Sequence, residues 1–325
     1  MKMIIPKKLE KGNEVRIISP SHSLSTIDDS LVKLALRKLE SIGLKISFSS
    51  NCFIRDEFDS SSVKERVDDI HEAFLDKNVK AVLCARGGFN SNQLLPYMNY
   101  NIIRRNPKIF CGYSDITALN NCINKMTGIV TYAGLNFSTF RKKEMQDYNI
   151  EYFKKCLFEK ESYIVKPSKS YKEYSEKKPF KNKGYFVIRE GVSEGEIIGE
   201  NACTFNLLQG TKYMPNLKNK ILFLEEENIS ASDTVYMFDR ELTSICQQRG
   251  FDKIKGIVIG RFQKRTGITD EKLKKIINSK KEIRDIPVIA GLDFAHTIPR
   301  FTYPIGGTCR VTALECKAEL EILKH

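Results

Sequence analysis

The chain has 325 residues, enough for a large core and for more than one domain, and its net charge is +13. The lysines concentrate at 166–183 and 272–281. With no helix-turn-helix, zinc-finger or aromatic RNP-like pattern, this basicity reads as a solvated surface rather than as nucleic-acid binding. No apolar run approaches the roughly 18–20 residues that span a bilayer, the first six residues lack a signal-peptide core, and nine scattered cysteines without a Cys-x-x-Cys pair argue for a reducing cytoplasm and against a disulfide framework or zinc site.

Residues 15–18 read as a strand running into a Ser-rich loop that holds His22. Leu31, Leu34, Leu36, Leu39 and Ile42 recur close to helical spacing, and Gly43 ends that helix. A strand over 44–48, a helix over 62–76 and a strand over 79–84 follow. The third strand runs into Arg86-Gly87-Gly88-Phe89-Asn90-Ser91-Asn92, and 93–98 reads as helical. Alternating strands and helices predict an α/β fold with a parallel sheet covered on both faces. Ligands then lie beyond the carboxyl ends of the strands, where the loops at 86–92 and 112–115 fall.

Residues 109–111 form the next strand. Gly112 allows a sharp turn, Ser114 follows, and a helix runs to about 124. Strand, tight turn, serine and helix make the layout of a nucleophile elbow, which presents a hydroxyl to a cleft. The amide of Asp115 is then free at a helix N-terminus, where it can stabilise an oxyanion. Gly112-Tyr-Ser-Asp-Ile116 has Ile where the hydrolase motif has its second glycine, and a helix cap accounts for Ser and Asp equally well. Gly87 and Gly88 let the backbone approach a ligand, which suits the amide of Gly88 or Gly87 as a second oxyanion donor, although Gly-Gly is also common in plain turns. No Gly-x-Gly-x-x-Gly exists, which argues against a dinucleotide site.

The first domain is expected over residues 1–158, a Lys-, Glu-, Ser- and Tyr-rich linker with room for strand pieces over 159–183, and a β-rich second domain over 184–325. In that second half, strands are expected at 220–224, 256–260 and 286–289, helices at 232–246 and near 270–279, and a hairpin-like segment over 304–312. A serine nucleophile needs a base and a group that orients it. Of four histidines, His71 sits on a helix and His325 is expected to be frayed, leaving His22 and His296 as equal candidates. Glu225 ends the apolar strand and suits the orienting acid, although Glu226 and Glu227 follow and an acidic turn is the simpler account. No cluster has metal-ligand spacing, so neither a metal nor a cofactor is expected.

Taken together, Ile18-Ser-Pro-Ser21, Arg86-Gly-Gly-Phe-Asn-Ser-Asn92, Gly112-Tyr-Ser-Asp-Ile-Thr117, Gly199-Glu-Asn-Ala-Cys-Thr204, Leu222-Phe-Leu-Glu-Glu226 and His296 before Pro304-Ile-Gly306 resemble the serine peptidase family that contains the murein LD-carboxypeptidases and the microcin C immunity proteins. The resemblance covers most of the chain. It implies a Rossmann-like N-terminal domain, a smaller β-rich C-terminal domain and a cleft between them. It also implies Ser114 as nucleophile, Glu225 as acid and His296 as base. Gly88 and Asp115 become the oxyanion donors, and Arg86, Asn90, Ser91 and Asn201 the candidate substrate contacts. A homodimer without metal is implied, acting on a small peptide or an aminoacyl-nucleotide, with the microcin C immunity branch the nearer. Two departures bear on the pocket. Glu200 replaces the usual second glycine and would repel an anion if it faced the cleft, and the chain has no Trp for stacking on a base.

Overall fold

Apolar strands and amphipathic helices alternate through the first half of the chain because each strand needs cover on both faces. The computed structural model describes residues 2–141, 144–173 and 176–325; residues 174 and 175 of the expected linker lie outside them. The first sheet has the order Tyr303–Ile305, Thr131–Ala133, Ile109–Gly112, Val79–Cys84, Glu14–Ile18, Lys45–Phe48. Its five N-terminal strands are parallel. The helix Val63–Leu75 begins at a reciprocal cap between Ser62 and Glu65 and buries Val67, Ile70, Ala73 and Phe74. The helix expected over 93–98 is instead a short 3-10 turn, Ser91–Leu94, followed by Tyr100–Arg105. Pro96 removes an amide donor from the run, and Asn99 caps the later helix through the amides of Asn101 and Ile102.

The second sheet has eight strands in the order Tyr163–Val165, Lys317–Lys324, Thr308–Leu314, Gly191–Asn201, Lys220–Glu225, Gly256–Gly260, Val288–Leu292, Phe186–Arg189. The four from Gly191–Asn201 to Val288–Leu292 are parallel and the outer strands antiparallel. The linker region holds a strand piece, Tyr163–Val165, as its composition allowed, with Tyr163 and Val165 alternating inward along the sheet edge. Two expectations need correction. The segment expected to close the second domain as a hairpin is shared, since Tyr303–Ile305 pairs antiparallel with Thr131–Ala133 at the edge of the first sheet. His325 is buried, with ring nitrogens 2.8 Å from the Cys156 carbonyl and 3.1 Å from that of Glu161.

Both apolar cores draw on both sheets. One holds Ile17, Leu83 and Cys111 with Phe223, Val258 and Ile289, and the other Val82, Phe110 and Leu119 with Leu222, Phe238 and Ile257. Strand register then sets the functional edge. Ile18 pairs with Cys84 and Leu83 with Cys111, so the loops after these strands emerge together. Asn201 pairs with Glu225 and Gly260 with Leu292, which does the same in the second sheet. Among the described residues, no helix is long and apolar enough to cross a membrane.

Candidate active site

The strand Ile109–Gly112 is fully buried and ends in a turn whose second residue, Ser114, has φ +68°. A non-glycine residue held there costs about 1–3 kcal/mol and persists only where its surroundings hold it. The supports are specific. The Tyr113 amide donates to Asn136 Oδ1 at 3.1 Å, and Asn120 Nδ2 donates to the Gly112 carbonyl at 3.0 Å. The Asp115 carboxylate accepts from Ser21 Oγ at 2.5 Å and from the Ser91 amide at 2.8 Å. Ser91 Oγ in turn donates to the Asp115 carbonyl at 2.7 Å. Ser91 is therefore fully buried beneath the elbow and does not face the cleft as expected. Both of its polar groups are used in tying two loops together.

His296 Nε2 lies 3.0 Å from Ser114 Oγ, and its Nδ1 lies 2.7 Å from Glu225 Oε2. Glu225 is buried at the end of its strand, and His296 follows Val288–Leu292, two strands away across Gly256–Gly260. Glu226 turns away from the imidazole and accepts the amides of Cys203 at 2.8 Å and Glu227 at 2.9 Å. Asn201, expected at the substrate, instead donates through Nδ2 to Glu225 Oε1 and Glu226 Oε1, each at 3.1 Å. A side chain bridging two carboxylates fixes the rotamer of the one that meets the histidine. Burial alone would raise the Glu225 carboxyl and lower the His296 imidazole. Their mutual attraction outweighs it, holding Glu225 below its ordinary range and pushing His296 up to about 10.

Glu200 does not face the cleft. It is fully buried at φ +138°, just after Gly199 at φ +97°, where a Cβ would collide with the Phe223 carbonyl. Its Oε1 accepts from Arg300 Nη2 at 3.0 Å and its Oε2 from Thr117 Oγ1 at 2.7 Å. Burial still raises its carboxyl to about 8 against the pull of Arg300. The Arg300 guanidinium lies 3.4 Å over the Tyr113 ring, whose centroid is 5.6 Å from that of His296. The expected repulsion of an anion by Glu200 is thus replaced by a buried ion pair behind the site.

The cleft in front of Ser114 and His296 encloses about 260 Å³ and is lined by His22, Arg86, Gly87, Phe89, Arg141 and Glu227 among others. Arg86 Nη1 donates to Thr26 Oγ1 at 2.6 Å. Asn90 Oδ1 accepts from Arg66 Nη1 at 3.1 Å, a contact that braces its loop. A Cβ on Gly87 would sit 3.0 Å from Ser114 Cβ and 3.1 Å from Ser114 Oγ, and one on Gly88 would collide with Ser21 Oγ and His22. His22 packs its ring 5.8 Å from Phe89, and His71 accepts the Asn99 amide elsewhere on the surface. Sequence reasoning missed Asn136, Arg141, Glu227 and Arg300 as parts of the site. Glu227 was within reach of the argument, two residues past the candidate acid. Arg300 carries no local signal, since its ion-pair partner lies at 200 and the ring it covers at 113. Among the described residues, no group of three or more His, Cys, Asp or Glu side chains could hold a metal ion.

The sequence and fold match known proteins. Residues 15–134 match the LD-carboxypeptidase N-terminal domain and residues 194–311 the LD-carboxypeptidase C-terminal domain. The carboxypeptidase-named YocD of Bacillus subtilis is 44% identical over 98% of this chain and 99% of its own length. The chain belongs to the LD-carboxypeptidase family. The microcin C7 self-immunity protein MccF of Escherichia coli, another relative, is 32% identical over 77% of this chain and 76% of its own. A second Bacillus subtilis protein, named as a murein peptide carboxypeptidase, is 29% identical over 97% and 94%. Among solved structures, an MccF-like protein from Bacillus anthracis superposes with a TM-score of 0.98 at 48% identity, covering 99% of this chain and all of that one. MccF in complex with glutamyl sulfamoyl guanosine gives 0.87 at 26% identity, covering 98% of both chains. This LD-carboxypeptidase-family protein is a hydrolase with the two-part α/β architecture of its relatives.

Proposed function

We propose that the protein is a serine peptidase in which Ser114 is the nucleophile, His296 the base and Glu225 the acid that orients it. The observation that carries this reading is the continuous line from Ser114 Oγ through His296 to Glu225, at 3.0 and 2.7 Å, starting from an elbow serine at φ +68°. Ser114 Oγ attacks the carbonyl carbon of an amide while His296 Nε2 takes its proton. Glu225 stabilises the imidazolium through Nδ1. The amides of Asp115 and Gly88 receive the oxyanion, and the crowding of Gly87 against Ser114 keeps that space free of side chains. Collapse breaks the C–N bond, with the proton passing from Nε2 to the leaving nitrogen. Water then attacks the acyl-enzyme and gives a proton to His296, and collapse breaks the bond to Ser114 Oγ, which takes that proton from Nε2 as the acid leaves. Ser114→Ala should lower kcat by about 10³-fold or more with Tm unchanged, and should abolish labelling by a serine-directed fluorophosphonate. Near-normal hydrolysis by the variant would sink the assignment.

The substrate class proposed is an aminoacyl or peptidyl group joined by an amide-type bond to a nucleotide-like leaving group. Support comes from the relation to MccF, solved with glutamyl sulfamoyl guanosine, and from Arg86 and Arg141 in the cleft, which suit an anionic leaving group. With no Trp in the chain, the exposed ring of Phe89 at the cleft is an aromatic surface available to a base. The second reading is LD-carboxypeptidase action on murein tetrapeptides, favoured by the relative named for that activity. Measuring kcat/KM on an aminoacyl-sulfamoyl adenosine beside a murein tetrapeptide ending in D-alanine separates them. Release of D-alanine about tenfold faster than the nucleotide reaction would reverse the ranking.

A further inference from the structure

Glu227 is a carboxylate inside the cleft that the triad does not use. Its Oε2 lies 3.4 Å from His296 Nε2, the same nitrogen that meets Ser114 Oγ, and its side chain is 44% exposed. Its place is set by the backbone. The Glu227 amide donates to Glu226 Oε1 at 2.9 Å, its carbonyl accepts from the Ile229 amide at 3.0 Å, and the next amide, Asn228, donates to Gln263 Oε1 at 2.9 Å. Among the described residues, His296 is its one ion-pair partner within 4 Å. The remaining accessible face of the carboxylate therefore opens toward whatever group lies beside the scissile bond.

That position is awkward for a serine hydrolase unless a cation is meant to occupy it. A carboxylate against Nε2 favours the imidazolium and so opposes proton uptake from Ser114. A substrate ammonium seated on Glu227 neutralises the carboxylate and restores Nε2 as a base. Once the imidazolium forms, Glu227 lies between two cations and offsets their repulsion. Arg86 and Arg141 in the same cleft supply positive charge for an anionic group, so the cleft presents both signs. We infer that Glu227 is a specificity residue that binds a free ammonium on the acyl side of the scissile amide, making the preferred substrate an aminoacyl rather than an N-blocked or peptidyl compound.

The inference rests on the Ser114 hydrolase reading proposed above, and its test keeps the two apart. Labelling of wild-type Ser114 by a fluorophosphonate reports on the hydrolase reading alone. Steady-state kcat/KM is then measured for wild type, Glu227→Gln and Glu227→Asp on an aminoacyl-sulfamoyl adenosine and on its Nα-acetyl counterpart. Wild type should prefer the free amine by about tenfold or more, as expected of a charge-assisted contact. Glu227→Gln should bring that ratio close to one, and Glu227→Asp should restore part of it. An unchanged ratio in Glu227→Gln, or a wild type indifferent to acetylation, overturns the inference. Inertness of both compounds toward a protein whose Ser114 still labels overturns it as well.

Discussion

At the scale of single residues, the site shows how two adjacent glutamates acquire different work. Glu225 ends its strand and Glu226 follows it directly, and the alternation of the extended chain turns one toward His296 and the other toward the amides of Cys203 and Glu227. Glu225→Gln should therefore lower kcat by about 10³-fold or more, the scale of losing the acid of a triad. Glu226→Gln should cost much less in kcat and show mainly as a lower Tm. Equal kinetic losses would mean the two carboxylates act as one unit. The titration of His296 gives a second expectation. Its neutral form is the base, and Glu225 and Glu227 both favour the charged form. The kcat/KM profile should thus rise with pH through neutrality, with its acidic limb above the ordinary histidine value of about 6.5. Glu227→Gln removes one of those carboxylates and should move the limb to lower pH. A wild-type limb at or below about 6.5 would contradict the arrangement of charges.

At the scale of elements, the elbow is held by loops from other strands as well as by Asn120 of its own helix. Ser21, Ser91 and Asn136 each come from a different strand end and each bonds the backbone or side chain of residues 113–115. Gly87 supplies the clearance. Its backbone does not need the left-handed region, so alanine is compatible with its own conformation. The added methyl would nevertheless press on Ser114 Cβ and Oγ. Gly87→Ala should therefore lose activity without losing fold, with kcat/KM down by about tenfold to a hundredfold and little change in Tm. A large fall in Tm with parallel activity loss would place the role of Gly87 in folding instead.

At the scale of the whole molecule, the two sheets are joined by shared cores, by the edge strand Tyr303–Ile305 and by the buried pair Glu200–Arg300. That pair touches Thr117 and Tyr113 of the first half, so it ties the nucleophile side to the strand end that carries Asn201. Removing one partner of a buried pair costs about 3–5 kcal/mol. Glu200→Gln leaves an arginine that cannot give up its charge. Arg300→Met leaves a carboxyl already raised to about 8, which can take a proton and keep its bond to Thr117. The sign follows from linkage. A carboxyl raised in the folded state contributes stability that is fully present below its unfolded value and is lost as pH rises through the folded one. Losing Arg300 raises that folded value further. The parent should then level off above about pH 8, whereas the Tm of Arg300→Met should go on falling there. Parallel curves would show that Glu200 stays charged without its partner.

The boundaries between what local sequence decides and what it does not are visible in particular residues. The alternating α/β texture, the elbow at 112–115, the glycine pair and the apolar strand ending at Glu225 are all readable in the chain, because periodicity, turn chemistry and helix caps act over a few neighbouring residues. The motifs together also carried the family. The chain alone could not separate His22 from His296 as the residue that reaches Ser114, or say that Asn201 and Ser91 brace the site from beneath. Nor could it turn Glu200 away from the cleft toward Arg300. Each of those outcomes depends on strands that pair far apart in sequence, as Asn201 does with Glu225 and Tyr303 with Ala133. A polar side chain at a strand end is equally at home in a cleft or in a buried network. Only the partner brought to it by the folded sheets decides between desolvating it against an opposite charge and leaving it to meet a substrate.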